Sequence, residues 1–181
     1  MYLRLVTAPS AEPVSLATVK TFLRVDASDE DAMITSLAKA AREHGENLSR
    51  RAFITQTWDM TLDAWPIGLR LRVYRPPLQS ITSVKYLDSD NIEHTWTDYT
   101  VDTRNEPGMI IFNTLPSIAL LKSGAITVRF AAGYGSSGSN VPERIINSIL
   151  ALTAYWYENR ESHAVPADIK KAFMAERAVW F

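Results

Sequence analysis

Phe53-Ile54-Thr55-Gln56-Thr57-Trp58-Asp59-Met60-Thr61-Leu62-Asp63-Ala64 is the stretch that decides the fold class. Within it Trp58, Met60, Leu62 and Ala64 point one way and Thr57, Asp59, Thr61 and Asp63 the other, the alternation of a half-solvated strand. Everything upstream follows a helical period. After the Pro9 to Pro13 lead-in, Ser15 can cap a short helix with Leu16, Val19, Phe22 and Leu23 on its apolar side, ending near Asp26. A longer helix is expected from Ser28, where Asp29, Glu30 and Asp31 meet the positive end of the helix dipole and Ser28 with Asp31 forms a capping-box pattern. Its buried stripe is Ile34, Leu37, Ala38, Ala41 and Leu48.

Downstream the period of two continues. Leu69, Leu71 and Val73 alternate with Arg70, Arg72 and Tyr74, and Pro76 and Pro77, which cannot donate to a ladder, separate that strand from the next. Further strands are expected at 81–87, 96–101, 109–112 and 125–131, with turns at Asp88-Ser89-Asp90-Asn91 and Pro107-Gly108. Six short strands at this spacing predict a small antiparallel sandwich or barrel. Pro142 then opens a third helix, whose apolar residues Ile145, Ile146, Ile149, Leu150, Leu152, Thr153, Trp156 and Tyr157 form a stripe wide enough to be covered on two sides. A break at Ser162-His163-Ala164 and Pro166 precedes a last helix from Ala167 to about Ala178, followed by Val179-Trp180-Phe181.

The order helix, helix, strands, helix, helix reads as α+β. The expected organisation is one domain over 1–181: a helical core of two amino-terminal and two carboxy-terminal helices (13–52 and 140–178) carrying an inserted antiparallel β-sandwich (53–132). A chain of 181 residues is the length of a single domain. Its 46% hydrophobic and 22% charged content is that of a globular protein. With 19 Lys plus Arg against 20 Asp plus Glu the formal charge is -1, the opposite of a protein built to grip phosphates. Cysteine is absent, which removes disulfides, thiolate zinc ligands and thiol nucleophiles, and points to synthesis in a reducing cytoplasm. The amino terminus lacks signal-peptide character and no run of about 18 apolar residues occurs, so neither export nor a membrane partner is expected.

Candidate chemistry is sparse. Gly133-Tyr134-Gly135-Ser136-Ser137-Gly138 is a literal G-x-G-x-x-G after a strand, but the helix waits until Pro142 and no second parallel strand follows, so a loop is expected instead of a dinucleotide site. His44, His94 and His163 are scattered, and Asp88, Asp90 and Glu93 lack the spacing of a calcium loop, so a polar hairpin turn is expected there. Arg70, Arg72, Arg75 and Lys85, interleaved with Tyr74 and Tyr86, would form a basic single-strand-binding patch only if their strands pair side by side. No catalytic, cofactor-binding or metal-ligating set is assigned. At the carboxy terminus Ile169, Phe173, Trp180 and Phe181 must either fold back on their own domain or dock into a partner's groove.

An ordered string of short motifs carries the functional expectation: Pro76-Pro77-Leu78, Ser83-Val84-Lys85-Tyr86-Leu87-Asp88, Tyr99-Thr100-Val101-Asp102, Gly133-Tyr134-Gly135, Val141-Pro142 and Tyr157-Glu158-Asn159-Arg160-Glu161. In this order, and with Pro13-Val14-Ser15-Leu16 at the first helix, the chain resembles the head-tail connector (adaptor) proteins of long-tailed bacteriophages, prophages and gene transfer agents. The resemblance implies a non-enzymatic virion protein without cofactors. It implies a homo-oligomeric ring of about twelve copies beneath the portal protein, closed by head-to-tail contacts. Double-stranded DNA would pass through the ring without sequence-specific binding, and the stopper and tail proteins would follow. Two ring contacts are expected from Ile146, Leu150, Trp156 and Tyr157 on the third helix, and portal docking from Ile169, Phe173, Trp180 and Phe181. The family's Pro-Tyr-Arg-like tail turn is replaced here by Ala175-Glu176-Arg177. A stopper or tail-completion protein of the same particle is the alternative of the same class, and a nucleotide-binding enzyme using the 133–138 loop the alternative of another.

Overall fold

The computed structural model describes residues 1–117, 119–161 and 164–178; His163, Trp180 and Phe181, singled out above, lie outside them. In chain order the elements are β1 (Tyr2–Thr7), α1 (Leu16–Leu23), α2 (Asp31–Ser49), β2 (Gln56–Leu62), β3 (Arg70–Arg72), β4 (Leu78–Leu87), β5 (Glu93–Trp96), β6 (Tyr99–Asp102), β7 (Met109–Phe112), β8 (Ile126–Ala132), α3 (Glu143–Glu158) and α4 (Ala167–Ala175). The fold is α+β, four helices with antiparallel sheets. The chain forms two compact units, one helical (9–54 with 134–178) and one of strands (1–8 with 55–133).

In the helical unit α1 starts where the sequence places it: the Thr18 N–H donates to Ser15 Oγ at 3.1 Å, and Arg24 ends the helix in the left-handed region at φ 58°. The start of α2 differs from expectation. It begins at Asp31 with no side-chain cap, because the Asp31 carboxylate instead takes Lys20 Nζ of α1 at 2.6 Å. The long-range ion pair replaces the capping box.

The core of this unit is built from Val19, Ile34, Ala41, Phe53, Ile145, Ile149, Leu152 and Phe173, all close to fully buried. The wide stripe of α3 is used as its width demands: α3 packs against α1, α2 and α4. Phe173 holds α4 down. Its ring stacks on Phe53 with centroids 6.5 Å apart and lies where a side chain at Gly45 would begin, 2.5 Å from that Cβ position, so α2 needs glycine there. Past α4, Arg51 Nε donates to the Glu176 carbonyl at 2.6 Å and the Ala178 N–H to the Ser49 carbonyl at 2.9 Å.

In the strand unit five strands run in the order β1-β2-β8-β4-β5, every pair antiparallel, and three in the order β3-β7-β6. The alternation that decided the fold class sets the register. Trp58, Met60 and Leu62 lie opposite Phe130, Val128 and Ile126, putting apolar side chains of neighbouring strands on one face. Trp65 joins the two sheets, edge-on to Tyr86 of β4 at 5.6 Å and to Phe112 of β7 at 5.4 Å.

Several expectations change. Strand β1 was not foreseen: five of its six residues are exposed, so this edge strand lacks the apolar alternation by which strands are recognised. The strand expected at 96–101 is two strands in different sheets, parted at Thr97-Asp98, where the Asp98 carboxylate accepts from Asn113 Nδ2 at 2.8 Å. The one expected at 69–73 shortens to Arg70–Arg72 because Leu69 turns left-handed at φ 62°. Asp59, read as solvated, is buried: β1 sets Arg4 beside it on one side and β8 sets Arg129 on the other.

Candidate assembly surfaces

Strand β8 ends at Ala132, and Gly133 turns at φ 136°. Gly135 and Gly138 face protein: a Cβ at Gly135 would overlap the Asn140 side chain, and one at Gly138 the Pro13 carbonyl. The space that a pyrophosphate occupies in a dinucleotide site is filled by the chain itself. Ser137 and Asn140 close a reciprocal cap on the short 3-10 turn Gly138–Asn140, and α3 starts only at Glu143. Strand β8 is antiparallel to both its neighbours, so the parallel crossover of such a site is missing as well.

The Asp88 turn is the polar hairpin the sequence predicts. Its carboxylate accepts the Asp90 and Ile92 N–H groups at 2.9 Å each and faces His94 Nε2 at 2.7 Å. The His94 bond, then the backbone donors, hold the Asp88 carboxyl below the usual carboxylate range. Among the described residues no three His, Cys, Asp or Glu side chains gather closely enough to hold a metal, and no helix is long and apolar enough to cross a membrane.

The basic patch does not form as one surface. Lys85 on β4 pairs with Glu93 at 2.7 Å, Arg75 lies over the Trp58 ring at 4.9 Å, and Tyr86 is buried against Trp65 and His94. Arg70 and Arg72 stay exposed on β3, on the other sheet.

The four α3 residues singled out from sequence face inward. Leu150 is buried, and Ile146, Trp156 and Tyr157 are half-buried against the same core. Trp156 Nε1 donates to the Ala164 carbonyl at 2.9 Å, and its ring meets His44 edge-on at 6.0 Å. Burial, reinforced by Lys170, pushes the His44 pKa below its ordinary value. The Tyr157 hydroxyl donates to Glu30, which also accepts from Arg160. These two bonds, Tyr157 first, hold the Glu30 carboxyl below its usual value, and the same contact raises the Tyr157 phenol. At the carboxy terminus Phe173 is core, and Ile169 packs half-buried beside it. As far as Ala178 the tail folds onto its own unit.

Sequence reasoning passed over a buried ion cluster. Arg42, whose side chain is 4% exposed, donates to Glu12 at 2.8 Å, Glu46 at 2.8 Å and Glu43 at 3.2 Å. Glu46 in turn accepts the Phe53 N–H at 2.8 Å. Burial alone would lower the Arg42 pKa, but the surrounding carboxylates, Glu46 foremost, raise it. The signal available in sequence was the i,i+4 spacing of Arg42 and Glu46. Also unforeseen is an open groove of about 500 Å³ between α3 and α4, with Ser148, Ala151, Ile169 and Ala172 along its floor.

No protein-family profile and no curated protein matches the chain. Solved structures do. The fold is shared with a chain of the neck of an empty gene transfer agent (GTA) particle, determined with C6 symmetry, at a TM-score of 0.85 and 24% identity. A chain of the virion of a native GTA particle gives 0.83 and 23%. A chain of the neck of a native GTA particle, with C12 symmetry, gives 0.81 and 24%. Each likeness covers 100% of this chain and 97% of the other. The likeness is one of fold, and it runs over the whole of this chain.

Proposed function

We propose that this chain is a structural virion protein, a head-tail connector (adaptor) that forms a ring under the portal, extends the DNA channel and joins the capsid of a phage or gene transfer agent particle to its tail. The end-to-end likeness to GTA neck chains carries the reading. The C12 symmetry of one of those necks supports a ring of about twelve copies, and the C6 symmetry of another is contained in it. A near-neutral chain suits a conduit through which DNA slides, since each cation on a phosphate would retain it.

The packing refines which residues would serve. Ile146, Leu150, Trp156 and Tyr157 already have partners in their own unit, which leaves the Arg144, Asn147 and Ala151 side of α3 for the next copy. Phe173 and Ile169 fix α4, so portal docking falls to Trp180 and Phe181, just past the anchored Ala178. The test is the native mass of the full-length chain mixed with the portal ring of the same particle, beside a version ending at Ala178 that keeps α4 in the core. A fixed ring-like number of copies on the portal with the full chain, and none with the shortened one, is the expected result. No addition of the full chain would end the adaptor reading in favour of a stopper or tail-completion role. Equal addition of both would end the assignment to Trp180 and Phe181.

A further inference from the structure

The loop between β2 and β3 presents an isoleucine wholly to solvent. Ile67 is 102% exposed, and the next two residues, Gly68 at φ 79° and Leu69 at φ 62°, are both left-handed. A left-handed leucine is an uncommon backbone state. At the base of the loop Trp65 is packed edge-on to Tyr86 and Phe112. Beyond the tip Leu71 is buried, so Arg70 and Arg72 project to the opposite, exposed face of β3. Neither arginine has an ion pair among the described residues. The result is an apolar knob above a packed base, flanked by two exposed positive charges.

The helical unit carries a socket of opposite character. The α3–α4 groove has a floor of Ser148, Ala151, Ile169 and Ala172, and Asp168 and Glu176 stand at its rim. Glu176 is engaged by Arg144 at 3.0 Å. Asp168 has no ion pair among the described residues, and with Arg144, Asp168 and Glu176 counted together the rim is negative.

We propose that Ile67 of one copy seats in the α3–α4 groove of the next copy, with Arg70 and Arg72 brought against Asp168. A knob and a socket at different places on one chain make a heterologous contact, used once in each direction by every copy, and such contacts build a ring when the rotation between copies closes. The partner is therefore a second copy of this chain, and the inference rests on the ring reading while naming the surfaces that would build it.

The chain has no cysteine, so introduced thiols report cleanly. Ile67→Cys and Ala172→Cys are made in separate full-length preparations, both at exposed positions, mixed with the portal ring, and treated with a short bis-maleimide. A product of twice the chain mass that forms in the mixture and in neither preparation alone is expected. Arg70→Glu with Arg72→Glu is expected to weaken self-association at least tenfold, and Asp168→Arg in the same chain to recover part of it. Ile67→Asp should abolish rings while leaving the melting temperature of the monomer unchanged, since Ile67 is wholly exposed. Rings of normal mass with no crosslink and no response to Ile67→Asp would overturn this contact and leave the ring reading standing. A chain that stays monomeric with the portal present would overturn both.

Discussion

Arg42 and Asp59 show how charges buried away from any chemistry hold each unit. Arg42 ties the Pro9–Pro13 lead-in to α2 through Glu12 and Glu46, and Glu46 passes the connection to the Phe53 backbone. Removing one partner of such a set strands the others in low dielectric. Arg42→Ala is therefore expected to lower unfolding free energy by about 3–5 kcal/mol, measurable by urea titration. Asp59 plays the same part in the strand unit, accepting from Arg129 at 2.8 and 2.9 Å and from Arg4 at 3.0 Å. The Arg129 bonds first, and then Arg4, overcome burial and hold its carboxyl below the usual value. A carboxyl depressed in the folded state contributes stability that is complete above the unfolded value of about 4 and is lost as pH falls through the folded value. Melting temperature should accordingly drop as pH falls below about 4, and Asp59→Asn should flatten that slope while lowering stability at neutral pH. An unchanged slope in the variant would remove Asp59 from this role.

At the scale of elements, α4 is the instructive case. It has nine residues and no side-chain cap, too few to persist alone, since isolated helices shorter than about 12–15 residues are marginal. Phe173 in the Phe53 and Gly45 pocket, and the Ala178 hydrogen bond to Ser49, keep it in place. Phe173→Ala should cost about 3–5 kcal/mol and release α4 before the rest of the unit, seen as hydrogen exchange at 167–178 faster than in α2. Equal exchange across both helices would mean that α4 is held by something other than this ring. The opposite edge of the problem is β1, which contributes Arg4 to the Asp59 cluster and little apolar surface. An element that stabilises through one ion pair and a backbone ladder leaves almost no trace in a hydrophobicity pattern.

For the whole molecule, the proposal predicts a defined mass: portal plus a ring whose copy number matches the C12 symmetry of the neck to which the fold is similar. A ladder of intermediate masses without a preferred end point would speak against closed cyclic assembly. Local physics made much of this chain legible in advance. The alternation of Trp58, Met60 and Leu62 pointed to a half-buried strand, Ser15 before Leu16 to a helix start, and the width of the Ile145 to Tyr157 stripe to an α3 covered on more than one side. These are short-range statements, set by side-chain period and by the hydrogen bonds available to neighbouring backbone groups. Other features depended on residues far apart in the chain. Lys20 drew Asp31 away from a cap, Arg4 and Arg129 made Asp59 a buried ion, Pro13 closed the space above Gly138, and Phe53 received Phe173. The sequence by itself determined the class, α+β with helices and antiparallel strands in separate runs of the chain, because periodicity is local. Only the tertiary structure decided which apolar side chains of α3 and α4 are consumed within the chain and which knob and groove are left for another copy, because burial is a property of the partners that folding brings together.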